Sequence, residues 1–514
     1  MMDGMQRLAV ADLGSNSFRL VVYGYEPGRW WQHADEIREP VRVSEGLGED
    51  GRLRPEPMQR AIRTAELFDA FCKANDIEHV HAVATSAIRE APNGPELLKE
   101  VEARTSLPVR VVSTHEEARY GYLAIANSTT VADGFGIDLG GGSVQVMQLS
   151  DRELVADDSW PLGAVRMSER FLPEDDQTSG KAIKALRKHV AKQVARADWF
   201  HTGNGDRLAG IGGTIRNLAT AAERRAGVHH PDSAQGFKLT IEALDDLIDE
   251  LAGMPASKRG RVPGIKPDRG DVILGGAVAL SALMETSGFK QIEVTEAGMR
   301  EGVFFESFLG DRDPPLFPDV RRASIENLAN RYQPDLNHPR HVAELSLQLY
   351  DGLAAAGLLE ADEPDRELLW SASLVHDVGT AVDYDDHHKH SRYLIENAGL
   401  PGFTPREVLL IALIAQYHRK GTPDSDELGT LAEKGDERRL STLSGIVRLS
   451  EQFERSRDGA IKSIELEARN GTVVLEPDLR HDASVAIWSA RGNAELLEKA
   501  IGREVEITGP EGDT

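Results

Sequence analysis

Apolar residues recur at two spacings along this chain, and the switch between them divides it. Residues 8–25 (LAVADLGSNSFRLVVYGY) and 134–149 (GFGIDLGGGSVQVMQL) each set an apolar strand before Asp-Leu-Gly, then a turn of small residues, then a second apolar strand. The two copies align Asp12, Gly14 and Ser17 with Asp138, Gly140 and Ser143. Each reads as a β-hairpin whose turn is made of Gly, Ser and Asn, residues that tolerate positive φ and free their backbone N–H groups. Behind the hairpins, strands alternate with helices. The pattern predicts a helix over Glu56 to Asn75, a strand over His81 to Ala84 and a helix from His115. Such alternation predicts α/β layers. Two related subdomains, residues 1–130 and 131–310, are expected to face each other across a cleft.

After Asp311-Arg-Asp-Pro-Pro the period changes. Val342, Leu345, Leu349 and Leu353 recur at helical spacing in the stretch from His338, and a second helix is expected over Glu367 to Val378. Residues 311–458 read as an all-α domain. From Ala460 the period changes again: IKSIELEA and TVVLEP flank Asn470-Gly471, a strong hairpin signal. A strand over Ala483 to Trp488, a helix over Asn493 to Ile501 and a final strand complete a small α+β domain, residues 459–514.

Composition narrows the partners. The 514 residues carry 59 Lys and Arg against 84 Asp and Glu, a net charge of −25. A chain this acidic repels polyanions, so nucleic-acid binding is not expected, and an anionic substrate must enter a local basic pocket. The longest apolar run, Val408 to Ala415, is far short of the ~20 residues that cross a bilayer. The polar stretch Met1 to Arg7 gives no sign of a secretory leader. The single cysteine, Cys72, fits a reducing compartment. These features lead us to expect a cytoplasmic protein with no membrane association.

Two opposed hairpins suggest a chemistry. Turn amides make a concave nest for phosphate oxygens, and an Asp at the strand end can hold Mg²⁺ or orient water. A carboxylate beside a phosphate is repulsive unless a cation or proton lies between them. A purely structural duplication is the competing explanation. No Walker A sequence is present.

Together with the hairpins, ATSAIREA (84–91), STHEEARYGYLAIA (113–126), GIGGTIRNLA (210–219), RVPGIKPDRGDVILGG (261–276) and EAGMREGV (296–303) make residues 7–310 resemble the exopolyphosphatase and guanosine-pentaphosphate phosphohydrolase (Ppx/GppA) family. The resemblance implies a duplicated actin-like (ribonuclease H-like) α/β fold and Mg²⁺- or Mn²⁺-dependent release of terminal phosphate. It implies Glu117 as the base that deprotonates water, and Asp138 as metal ligand or water-orienting group. Gly140, Gly141, Gly142 and Ser143 would cradle phosphate from one side. Asp12, Gly14, Ser15, Asn16 and Ser17 would do so from the other. Arg19 and Arg89 would neutralise charge, Gly212, Gly213 and Thr214 would line the second half of the cleft, and Lys266 and Arg269 would reach a distal phosphate. Phosphoryl transfer needs little beyond such positioning.

Each residue also has a plainer reading. Thr114-x-x-Glu117 fits a capping box, Arg19 and Arg89 fit solvated positions, Gly212-Gly213 fits a simple turn and Arg269 a solvated loop. One position departs from the family, which continues the glycines and serine with Thr-Glu where this chain has Val144 and Gln145. Glutamine keeps one acceptor but loses the charge, so it holds a cation less well.

The helical region is similar to HD-type domains. His338, then His376-Asp377, then His387, His388, His390 and His418 follow that order, with Glu451 in RLSEQFERSRDG (448–459) where the last Asp would stand. A second metal site at His338, His376 and Asp377 is one reading; a scaffold of hydrogen-bonded histidines is the other. The leading function is an exopolyphosphatase acting on inorganic polyphosphate. Its alternatives are a guanosine pentaphosphate 5′-phosphohydrolase, a catalytically reduced polyphosphate-binding protein, and an ATP-dependent kinase or actin-like filament protein. Arg259, Arg261, Lys258 and Lys266 are candidates to guide a long chain, and the family implies a homodimer.

Overall fold

The Asp-Leu-Gly repeat does fold as two hairpins, one in each of two mixed sheets. A computed structural model describes residues 5–47, 50–172, 177–228, 233–469 and 471–509. Residues 1–4 of the polar N-terminal stretch, and Asn470 of the expected turn, lie outside them.

In the first sheet, β1 (Gln6–Leu13) pairs antiparallel with β2 (Phe18–Glu26), which pairs antiparallel with β3 (Trp30–Glu39). On the other side of β1 lie β4 (His79–Ala84) and β5 (Val109–Val111), both parallel to it, giving the order β3-β2-β1-β4-β5. The second sheet contains β6 (Gly134–Leu139), β7 (Val144–Ser150), β8 (Glu153–Trp160), β9 (Leu208–Ile211), β10 (Lys238–Thr240) and β11 (Gln291–Val294). Its order, β8-β7-β6-β9-β11-β10, repeats the first sheet and adds one antiparallel edge strand. One topology is thus duplicated, three antiparallel strands followed by two parallel ones. The helices Pro55–Ala74 and Thr114–Ala126 fall within a residue of their expected starts.

Both sheets belong to one compact unit that runs through residue 227 and from 233 to 320. The β1–β2 hairpin shares its apolar core with Phe68 and Leu97, and β6, β7 and β9 share theirs with the largely buried helix Ile273–Ser287. Burying the strands on both faces pins their register, because a slip of one residue would turn Asp12 and Asp138 away from the strand ends.

The second unit, residues 321–509, is helical apart from a three-stranded sheet near its end. Its helices include Asn337–Ala355, Glu363–Val375, His387–Glu396, Pro405–Gln416 and Asp436–Phe453. The expected helix over Glu367 to Val378 starts four residues earlier, because Pro364 suits a first helical turn, and it stops at Val375. The strand expected over Ala483 to Trp488 is instead part of the helix Ser484–Arg491. Ala486, Ile487 and Ala490 are buried while Trp488 is exposed, a helical spacing that a short apolar run conceals. Ile461, Val473 and Ile487 share one core with Leu345, Leu349 and Ile446. Among the described residues no helix is long and apolar enough to cross a membrane.

Candidate active site

The hairpin turns abut. Ser15 Oγ lies 3.1 Å from Ser86 Oγ, and a Cβ added to Gly142 would fall 2.7 Å from Ser86 Oγ and 3.1 Å from Ser15 Oγ. No residue of 14–17 or 140–143 has a positive φ. Glycine is needed in the second turn for close approach and not, as the sequence suggested, for left-handed backbone. Backbone bonds brace both turns: Arg42 N–H donates to Asn16 O (2.8 Å), Gly140 N–H to Ser143 O (3.0 Å) and Val165 N–H to Gly141 O (2.9 Å).

Between the turns is a cleft lined by Asp12, Gly14, Ser15, Asn16, Ser17, Arg19, Glu117, Asp138, Gly140, Gly141, Ser143, Gly212, Gly213 and Arg269. Most of the expected site residues thus meet in one place. Gly142 is behind the turn, lining a neighbouring cavity. Thr214 points inward: its Oγ1 is buried without a partner and its methyl fills the space where Gly276 lacks a Cβ. The helix N-termini at Gly213 and Met299 open onto the cleft and aim N–H groups at any anion within it.

Glu117 is not a capping residue. The capping box of its helix is formed one residue earlier, by Ser113 and Glu116. Glu117 is therefore free to face the cleft, where Arg89 Nη1 donates to its Oε2 at 2.8 Å and to Val112 O at 2.9 Å. Burial pushes the Glu117 carboxyl up to about 7, with Asp138 and Asp12 adding to the rise and Arg89 opposing it. Asp138, at the end of β6, is pushed up to about 6 by burial and by the charge of Asp12. Asp12 is raised by burial, against the pull of Arg300, whose Nη1 donates to its Oδ2 at 2.9 Å.

The cleft sets four arginines against three carboxyl groups despite the acidic chain. Arg19 is pushed down to about 10 by burial and by Arg300, and Arg269 to about 10 by burial and by Arg38. Arg19 also pairs with Glu36 at 2.9 Å, so it does not face bulk water. Arg216 and Arg300 line the same space. The sequence reading missed both as site residues, although each falls within a quoted motif; what it lacked was the direction of their side chains. Glu301 supports Arg300 from behind, held by Tyr23 Oη at 2.7 Å. Gln145 is 1 % exposed and donates to Ser143 Oγ at 2.8 Å, so it acts on the turn and not on the cleft directly. Arg259 cannot guide a ligand: it is buried, with Nε on Leu251 O and Nη2 on Thr178 Oγ1.

Residues 21–310 match the model of the Ppx/GppA phosphatase family, and residues 320–481 match that of Ppx/GppA phosphatase domain III. The chain belongs to the Ppx/GppA phosphatase family. It is a hydrolase acting on phosphoanhydride bonds. Similar solved structures include the Aquifex aeolicus member of the Ppx/GppA family, 27% identical with a TM-score of 0.52, the match covering 60% of this chain and 99% of that one. An exopolyphosphatase from Cytophaga hutchinsonii is 21% identical with a TM-score of 0.55, over 59% of this chain and 98% of that one, a likeness of fold. In this Ppx/GppA phosphatase, the loops that carry the family resemblance are the loops that line the cleft.

Proposed function

We propose that this Ppx/GppA phosphatase is a divalent-cation-dependent exopolyphosphatase. The observation that carries the reading is a buried carboxyl with a pKa of about 7, Glu117, at the edge of a cleft crowded with arginines and helix N-termini. The arginines attract a polyanion against the field of the whole chain. Glu117 takes a proton from water, the oxygen attacks the terminal phosphorus in line, and the bond to the bridging oxygen breaks as the shortened chain leaves. Ser15, Ser17, Ser143 and the turn amides hold the equatorial oxygens, and Arg19 and Arg269 hold the departing charge.

The donor set fits Mg²⁺ or Mn²⁺. Asp138 offers a hard oxygen in a place where burial and Asp12 already disfavour its charge, and Glu117 is beside it. Among the described residues no three cleft donors come within 4.8 Å of one another. A cation there would keep waters and phosphate oxygens as most of its ligands, as Mg²⁺ prefers. When bound it supplies charge neutralisation between carboxylate and phosphate.

A second substrate, guanosine pentaphosphate, is favoured by one feature. The cavity beside the cleft shares Gly141 with it and is lined by Leu47, Ala87, Ala91 and Val165, with Arg166 and Glu169. Such a mixed apolar and polar lining suits a nucleoside. Phosphate release from polyphosphate and from guanosine pentaphosphate, each with Mg²⁺ or Mn²⁺, tests both. Turnover of polyphosphate with the larger kcat/KM supports the proposal; no release from either substrate refutes it.

A further inference from the structure

His338, His376, Asp377, His387, His418 and Glu451 meet in the second unit. A separate cavity of about 440 Å³ opens where the helices Glu363–Val375 and Asp436–Phe453 begin, with no histidine in its lining. Its polar groups are sorted by segment. Lys434, Arg438 and Thr442 come from the approach to the later helix and its first two turns. Glu360, Asp362 and Asp365 come from the approach to the earlier helix and its first turn. Arg439 joins the two sets: its Nε lies 2.7 Å from Asp365 Oδ1 and its Nη1 3.1 Å from Asp436 Oδ1.

The first set calls for an anion. Lys434 and Arg438 are exposed, and neither has a carboxylate partner among the described residues; Arg438 Nη2 donates to Leu358 O at 3.2 Å. Thr442 is 8 % exposed, and its hydroxyl has no hydrogen-bond partner among the described residues. A buried hydroxyl left unpaired is unfavourable, and a ligand oxygen relieves it. Neither helix has a side-chain cap at its start, so first-turn N–H groups are open to the same ligand. A phosphate group accepts from ammonium, guanidinium, hydroxyl and backbone N–H together. The second set calls for donors. Asp362 Oδ2 is 4.0 Å from Arg439 Nη2, beyond hydrogen-bond reach, and Glu360 is exposed with no cation partner among the described residues. Carboxylates only accept, so they require N–H groups on the ligand. Tyr350 and Leu443, both buried, add apolar wall. Tyr350 Oη fixes its ring by donating to Asp362 O and accepting from Asp362 N–H, each at 3.0 Å. An amino acid would leave most of this volume empty. A nucleotide separates phosphate from base by a ribose, and the cavity falls within the range of about 300–1,000 Å³ that small-molecule sites occupy.

We propose that this cavity binds a nucleoside monophosphate whose base carries an exocyclic amine, with the phosphate on Lys434, Arg438 and Thr442 and the amine on Asp362 and Glu360. The site is independent of the cleft and of the reaction proposed there. Adenosine monophosphate and inosine monophosphate are a matched pair of probes: an amine on the first is a carbonyl oxygen on the second, which the carboxylates repel. In calorimetric titration of the full-length protein, adenosine monophosphate should bind, and inosine monophosphate should bind about tenfold more weakly. Lys434→Ala/Arg438→Ala, both at exposed positions, should weaken adenosine monophosphate by about tenfold, and Thr442→Val should weaken it as well. Asp362→Asn should narrow the preference for the amine. Arg19→Ala/Arg269→Ala, which removes cations from the cleft, should bind adenosine monophosphate as the unmutated protein does. Absence of binding at millimolar concentration, equal affinity for the two probes, or binding that is lost with the cleft variant and kept in Lys434→Ala/Arg438→Ala overturns the proposal.

Discussion

Arg89 Nη1 donates to Glu117 Oε2 at 2.8 Å across the edge of the cleft. The bond sets the working range of the proposed base, because it opposes the burial that pushes Glu117 up to about 7. Phosphate release with Mg²⁺ present should rise with pH through about 7 and level off above it, since a base works only when ionised. In Arg89→Met the rising limb should move to higher pH. Glu117→Gln should lose about 10²–10⁴-fold in kcat with KM little changed. A pH profile that does not shift in Arg89→Met removes Glu117 from the role.

The same shift has a consequence for stability. A carboxyl whose folded pKa exceeds its unfolded one contributes stability below the unfolded value of 4.5, and that contribution is lost as pH rises through about 7. Metal-free Glu117→Gln escapes this loss. Its melting temperature relative to the unmutated protein should therefore increase between pH 5 and pH 8, by an amount equivalent to roughly 2 kcal/mol. A difference that is flat with pH argues that Glu117 is ionised at little cost.

Gln145 sits where the family carries Glu, and it is buried against Ser143 and Ser159. Gln145→Glu should destabilise the metal-free protein at pH 7 by about 1–3 kcal/mol, through a desolvated charge. Added Mg²⁺ should then raise its melting temperature more than that of the unmutated protein. Equal shifts in the two proteins would place residue 145 out of reach of the cation.

Arg300 and Asp12 form a half-buried ion pair at the cleft wall. Arg300→Met leaves Asp12 unpaired and should cost about 1–3 kcal/mol in urea unfolding. Arg300→Lys keeps the charge and should cost less. If both variants lose the same amount, packing and not charge explains the effect.

Gly163 was not singled out in the sequence, yet a Cβ there would stand 2.3 Å from Gly141 O and 2.4 Å from Gly142 C. Gly163→Ala must push the second turn outward, and displacements near 1 Å at a reacting centre cost up to about 10²-fold. We expect at least a tenfold loss of kcat in a folded protein. Gly180→Ala, which meets nothing within 4 Å, is the matched control.

How much of this was legible depended on the kind of information. The hairpins were readable because each strand is mostly apolar and its turn is marked by Gly and Ser. The cleft followed from the repeat, since two copies of one sheet topology bring equivalent turns together. Side-chain direction was not readable. Arg216 and Arg300 lie in quoted motifs, but only tertiary packing turns them inward, and the same packing buries Arg259 and Thr214. Glu117 looked like its own helix cap because Thr114 and Ser113 compete for that place, and Ser113 wins with Glu116. In the second unit the histidines stood out individually. Their convergence arises from five chain segments far apart in sequence.

The two halves share a framework but not a composition. Across the ladder from Asp12 stands Arg19, and at the equivalent place across from Asp138 stands Gln145. A symmetric jaw would grip a uniform anionic thread equally in either direction. With a guanidinium facing the cleft on one side and, on the other, an amide turned away onto Ser143, the jaw has a front and a back.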